Sequence, residues 1–251
     1  MRKYRFVLKN NPSEKSLIDD LEQVFQIRKV LRLALGDYIE GLWQNTVFRL
    51  KIICLENKQI KFEIIDEISQ VNHLKTKINL LLPILKNPDK TELILQKGTE
   101  LGVHEFQFID FEYSVKQNYN SRKTKYKRWQ KIIEEAVEQS ERNSIPILHE
   151  NILALKDFKN TKPNCLLLAF IERIDFKLLI IKEKINELPL KQLDYIQVIF
   201  GPEGGFSPSE KDILKQNGFQ AYSLGNSILR SETAIISGLS LINYQLNEVT
   251  I

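Results

Sequence analysis

Cysteine is nearly missing from this chain of 251 residues: Cys54 and Cys165 stand far apart, each inside an apolar run, and no CxxC pair exists. That removes redox dithiol and cysteine-zinc chemistry, and leaves two thiols that read as small buried hydrophobes. No metal centre is expected. Nor does any run of eighteen apolar residues occur, so a membrane-spanning helix is not expected. The opening MRKYRFVLKN is strand-like and lacks the apolar stretch of a signal peptide, which makes the cytoplasm the expected compartment. A Walker lysine loop and a GxGxxG fingerprint are both missing, arguing against P-loop ATP hydrolysis and ordinary Rossmann cofactor binding. With 43% hydrophobic and 27% charged residues, the composition is that of an ordinary globular protein of one or two domains.

The net charge of +4 is modest, but it is unevenly spread. Lys116, Arg122, Lys123, Lys125, Lys127, Arg128 and Lys131 follow one another without an acidic residue, with Tyr119, Tyr126 and Trp129 interleaved. Such a stretch reads as a phosphate-binding footprint whose aromatics could stack on unpaired bases, as RNA contacts do. The alternative is the solvated face of a helix whose buried stripe begins at Trp129 and continues through Ile132, Ile133, Ala136 and Val137. A face of that kind usually mixes both signs, which favours the nucleic-acid reading.

The pattern of elements changes near residue 70. Before it, YRFVL, DYIEGLW, VFRLKIICL and KFEIIDEI read as strands, with turns at Gly36-Asp37 and Asn57-Lys58 and a helical stretch from Asp19 to Leu33. Residues 1–70 are thus expected to form a small β-rich module, and residues 71–251 a second domain. From INLLLPIL onward strands alternate with helices, among them DKTELILQKGTELG, YKRWQKIIEEAVEQSER, FKLLIIKEKINEL and SEKDILKQNG. That alternation predicts a mainly parallel α/β sheet.

In parallel sheets ligands sit beyond the carboxyl ends of the strands. Three late loops occupy such positions: AFIER after the strand ending at Ala169, GPEGGFS after Phe200, and LGNSILRSE after the strand ending near Leu224. Ser207 and Glu210 have the spacing of a capping box, with Pro208 at the first helical position. An apolar rim of Phe200, Leu224, Ile228 and Leu229 around bare backbone suits a flat neutral ring such as adenine. The alternative is that the glycines only make turns.

Five stretches in order, KVLRLALGD, QKGTELGV, RWQKIIEEAVEQSERNSIP, GPEGGFSPSE and LGNSILRSETA, resemble the RsmE family of bacterial methyltransferases, which modify uridine N3 in 16S ribosomal RNA of the small subunit. The resemblance implies a SPOUT-type parallel sheet with a C-terminal trefoil knot, S-adenosyl-L-methionine in the knot loops, a homodimer, and a PUA-like β-barrel that helps grip RNA. By the same resemblance the cofactor residues are Ala169, Phe200, Gly201, Glu203, Gly204, Gly205, Leu224, Gly225, Ile228 and Leu229. RNA contacts would come from Arg28 and Arg32 in the first module and from Lys116, Arg122, Lys123, Lys125 and Arg128. Two positions depart from the family pattern: Gln26 replaces a common histidine, and Tyr113 replaces an arginine.

Methyl transfer from a sulfonium needs alignment and exclusion of water more than activation of the donor. Uracil N3 must first lose its proton. Arg230 could stabilise charge developing on a uracil oxygen, with Glu232 or Glu203 as base; the alternative for Glu232 is an ion pair or a first-turn helix carboxylate. His73, His104 and His149 lie outside the candidate loops. Two other readings are a SPOUT enzyme acting on transfer RNA or a ribose 2'-hydroxyl, and a non-catalytic RNA-binding assembly factor. The intact GPEGG and LRSETA segments argue against the latter.

Overall fold

A computed structural model describes residues 4–68, 75–114, 119–172 and 193–246. The chain divides into two units, one running to His73 and also taking in Glu134–Ile145, the other made of Leu74–Ile133 and the residues from Pro146 onward.

In the first unit the strands are β1 (Arg5–Val7), β2 (Leu17–Ile18), β3 (Tyr38–Trp43), β4 (Thr46–Leu55) and β5 (Ile60–Ile68), hydrogen-bonded in the order β1-β3-β4-β5-β2. The β3-β4-β5-β2 ladders are antiparallel and β1 joins β3 in parallel, giving a curled half-barrel. No ladder joins β1 to β2 among the described residues, so the sheet keeps two edges. Alternation of buried and exposed residues along β5 follows the two-residue period of a sheet with one wet face. The buried face packs Phe6, Ile27, Ile39, Leu50, Ile52 and Phe62 together.

The helical stretch expected from Asp19 to Leu33 is shorter and irregular. Asp20 caps α1 (Leu21–Phe25) by accepting from the Glu22 and Gln23 amides, and the chain then loosens into a π-helical turn, Gln26–Val30. The sheet is tied internally to segment 134–145. Buried Arg5 pairs with Glu40 (2.5 Å) and also donates to Asn143 Oδ1 (2.7 Å). Glu138 Oε1 accepts from the Val7 amide at 2.8 Å and from Gln23 Nε2 at 3.0 Å. Burial pushes the Glu138 carboxyl up to about 7, because those two donors only partly replace water and Glu134 and Glu135 add repulsion.

The second unit is the expected alternation. Its elements are β6 (Lys77–Pro83), α2 (Pro88–Glu100), β7 (Val103–Asp110), α3 (Tyr119–Gln139, whose residues from Glu134 on belong to the first unit), β8 (Ile147–Ala154), β9 (Cys165–Phe170), β10 (Tyr195–Phe200), α4 (Pro208–Gln216), β11 (Gln220–Tyr222) and α5 (Ser231–Leu246). All five ladders are parallel, in the order β11-β9-β10-β6-β7-β8. The short helix expected after IPIL is a single 3-10 turn, Leu155–Asp157; the helix expected over FKLLIIKEKINEL lies outside the described residues.

β6 and β10 are apolar along nearly their whole length because both faces of the sheet are covered. One face is closed by α4 through Leu81, Ile109, Ile199, Phe206 and Leu214. On α5, Gly238 lets the helix lie directly on two stacked rings: a Cβ there would come within 2.8 Å of Phe200 and 3.2 Å of Phe170. The small residue thus serves packing within the chain.

The topology positions the site. The chain leaves β10, passes β9 and adds β11 on its far side, so the loops after β9, β10 and β11 open at the same edge of the sheet.

Candidate functional site

At that edge lies a cleft of about 170 Å³ with a smaller recess of about 40 Å³ beside it. Phe170, Ile171, Glu172, Leu229 and Ala234 line both, so they are two lobes of one site. The larger lobe is completed by the turn after β10, through Gly201, Pro202, Gly204, Gly205 and Phe206, and by Lys211 and Ser231. The smaller one is closed by Ser223, Leu224 and Ser227 from the turn after β11.

Local chemistry explains why these turns hold their shape. Gly205 adopts φ +70 and Gly225 φ +128, backbone conformations that a side chain would resist. Ser207 and Glu210 form the expected capping box at the start of α4. Glu203, exposed on the turn, accepts from the Lys86 amide at 3.1 Å and braces it against the loop after β6.

Of the residues singled out in the sequence, Phe200, Gly201, Gly204, Gly205, Leu224 and Leu229 line the two lobes. Ala169 is buried one residue behind the wall and packs on Ile199 in the core. Gly225 and Ile228 stand exposed beside the recess, and Arg230 is exposed between the wall residues Leu229 and Ser231. The pattern of motifs missed Phe170, Phe206, Lys211 and Ala234. Phe170 and Ala234 had a readable signal in the AFIER and SETA segments; Lys211 had none, because only the fold of α4 against the turn brings it to the cleft.

Gly204 has a neighbour the sequence did not indicate. A Cβ on it would lie 2.9 Å from Cβ of Tyr113, so the residue is small because Tyr113 stands against it.

Glu232 is held as an ion pair. Lys90 Nζ, on α2, stands 3.1 Å from its Oε1, while its Oε2 is buried without a hydrogen-bond partner. Burial alone would raise this carboxyl, but the amide at the helix start, Lys90 and Arg230 outweigh it and hold it below the usual carboxylate range. A carboxylate in that state is charged and a weak proton acceptor.

The basic stretch resolves unevenly. Lys116 lies outside the described residues; Arg122, Lys123, Lys125 and Arg128 lie on α3. Arg128 grips Glu92 on α2 with two nitrogens, each at 2.7 Å. Two of the interleaved aromatics serve the fold: Trp129 is buried against Phe108 with ring centroids 4.7 Å apart, and the Tyr126 hydroxyl donates to the Leu148 carbonyl at 2.6 Å. Trp129 therefore opens the buried stripe of the helix, as the alternative reading had it. In the first unit, Arg28 donates to Asn57 (2.7 Å), and Arg32 is exposed with φ +54 directly after the π-helical turn. No cluster of metal-ligating side chains occurs among the described residues, and none of their helices is long and apolar enough to cross a membrane.

The RNA methyltransferase domain model matches residues 72–243. The chain is 30% identical to ribosomal RNA small subunit methyltransferase E of Bacillus subtilis, over 89% of this chain and 88% of that one. With the protein of the same name from Mesomycoplasma hyopneumoniae it shares 34% identity, over 83% and 86%. A solved structure of a ribosomal RNA small subunit methyltransferase E from Neisseria gonorrhoeae, bound to S-adenosyl methionine, superposes with a TM-score of 0.81 at 26% identity, covering 96% of this chain and 97% of that one. Its sequence relatives and the matched domain agree: this chain belongs to the RNA methyltransferase family, with the ribosomal RNA small subunit methyltransferase E proteins.

Proposed function

We infer that the chain transfers a methyl group from S-adenosyl-L-methionine to N3 of a uridine in 16S ribosomal RNA of the small subunit. The observation that carries this is the meeting of three strand-end loops, including GPEGG and LRSETA, around one two-lobed cleft in a member of this family. The cleft fits the cofactor. Its floor is bare backbone at Gly201, Gly204 and Gly205, its walls are apolar at Phe170, Phe200 and Leu229, and its smaller lobe is narrow enough for a flat ring.

When bound, the cofactor supplies an activated methyl group on a sulfonium. The chain's own part is alignment and charge. In this reading Arg230, exposed between the wall residues Leu229 and Ser231, stabilises negative charge on a uracil oxygen as N3 loses its proton. Glu232, paired with Lys90, fixes the start of α5 and with it the residues on either side of Arg230. In this account Glu232 acts through position, and the final proton acceptor is solvent or Glu203.

We read the passage of β11 beyond β9, and the return of α5 to pack on β10 and α2, as the path of a trefoil knot of SPOUT type. The curled sheet of residues 1–70 we read as a PUA-like barrel that holds RNA with Arg28 and Arg32, while Arg122, Lys123 and Lys125 hold phosphates. A homodimer has its support in the exposed Leu241 and Tyr244 of α5. The cytoplasm is the matching compartment.

Purified protein, S-adenosyl-L-methionine and small ribosomal subunits lacking the modification should yield 3-methyluridine on digestion and mass spectrometry. A methyl group found only on a ribose oxygen, or none, would overturn the reading.

A further inference from the structure

The larger lobe contains two charged side chains of opposite sign, Glu172, two residues after β9, and Lys211 in the first turn of α4. Neither forms an ion pair or side-chain hydrogen bond with another described residue. Glu105 on β7, by contrast, is matched by Lys162 at 2.9 Å and His149 at 3.2 Å. Two unmatched opposite charges in one cleft are complementary to a ligand that carries both signs at one end. The smaller lobe has no charge of its own beyond the shared Glu172; Leu224, Leu229 and the hydroxyls of Ser223 and Ser227 give it an apolar body with a few polar points. That is the chemistry of an adenine site.

We propose that Lys211 and Glu172 form the subsite for the amino-acid end of the methyl donor, Lys211 taking the carboxylate and Glu172 the ammonium, while the adenosyl end enters the smaller lobe. This rests on the cofactor reading above and adds its orientation.

The assignment separates two ligands that share the adenosyl and thioether parts and differ in the amino-acid end. S-adenosylhomocysteine has that end; 5'-methylthioadenosine does not. Calorimetry on the full chain should show Lys211→Met weakening S-adenosylhomocysteine about tenfold with methylthioadenosine unchanged, Glu172→Gln doing the same to a smaller degree, and Lys211→Arg restoring most of the loss. If the wild type binds both ligands and Lys211→Met matches it on both, or weakens both equally, the subsite is wrong and the cofactor reading stands. A wild type that binds neither ligand overturns the cofactor reading and the subsite with it.

Discussion

Glu210 holds Glu112 by the backbone: its Oε1 accepts from the Glu112 amide at 2.7 Å, while its Oε2 accepts from the amide of Ser207 at 2.8 Å. One buried carboxylate thus caps α4 and fixes the loop after β7, 98 residues away in the chain. Glu210→Ala should lower stability by about 2–4 kcal/mol, since a helix cap and a charge-assisted bond are lost together. Urea denaturation read by circular dichroism measures it; Ser207→Ala, which spares the Glu112 bond, should cost less.

Gly204→Val should fail in a particular way. The new side chain meets Tyr113 before it meets anything in the cleft, so the loss is one of stability as well as of cofactor binding. Gly204→Val combined with Tyr113→Ala should recover part of the lost stability. Thermal melts of the single and double variants give the coupling, and simple additivity would disprove the contact.

Acidity enters through Glu138. Its carboxyl titrates at about 7 in the folded chain against 4.5 as the ordinary value. Folding therefore takes up a proton, and the stability this contributes is full below about 4.5 and lost as the pH rises through 7. The difference amounts to roughly 3 kcal/mol. Glu138→Gln should flatten the stability profile between pH 5 and 8 in denaturant titrations. An unchanged slope would mean that another group sets it.

Charge reversal on α3 tests the proposed phosphate contacts. Arg122, Lys123 and Lys125 changed to Glu should weaken RNA association and reduce its salt dependence by roughly one unit of slope per lost phosphate contact. Affinity for S-adenosylhomocysteine should stay near wild type. Arg128→Ala should have the smaller effect on RNA, because its guanidinium is already committed to Glu92.

Arg230→Ala should do the converse. RNA binding stays, and single-turnover methylation at saturating RNA slows by about a hundredfold if the guanidinium stabilises charge on the base. A rate within threefold of wild type would remove Arg230 from the chemistry.

What was legible in the sequence was local. The capping box at Ser207 and Glu210 is a relation between residues three apart, and the change from two-residue to helical periodicity after residue 75 is visible in any short window. The rest depends on pairs the chain brings from afar. Glu210's second bond, Tyr113 beneath Gly204, and Lys211 at the cleft are all set by β7 and β10 flanking β6. Gly204 looked like a place kept clear for a ligand because composition cannot say which neighbour needs the room. The π-helical turn at Gln26–Val30 was equally invisible, since its residues have ordinary helical preferences.

The position of β10 also bears on how the chain is made. Its partner β6 pairs with it from Lys77 and Ile78 to Tyr195 and Ile196, so on the ribosome the buried strand INLLLP leaves the exit tunnel long before the strand that covers its open edge exists. At usual elongation rates that interval is roughly ten seconds, far longer than chain collapse takes. During it, β6 can pair only with β7, and an apolar edge stays unprotected against other nascent chains. The length of chain between Lys77 and Tyr195 thus sets how long that edge stays open during synthesis.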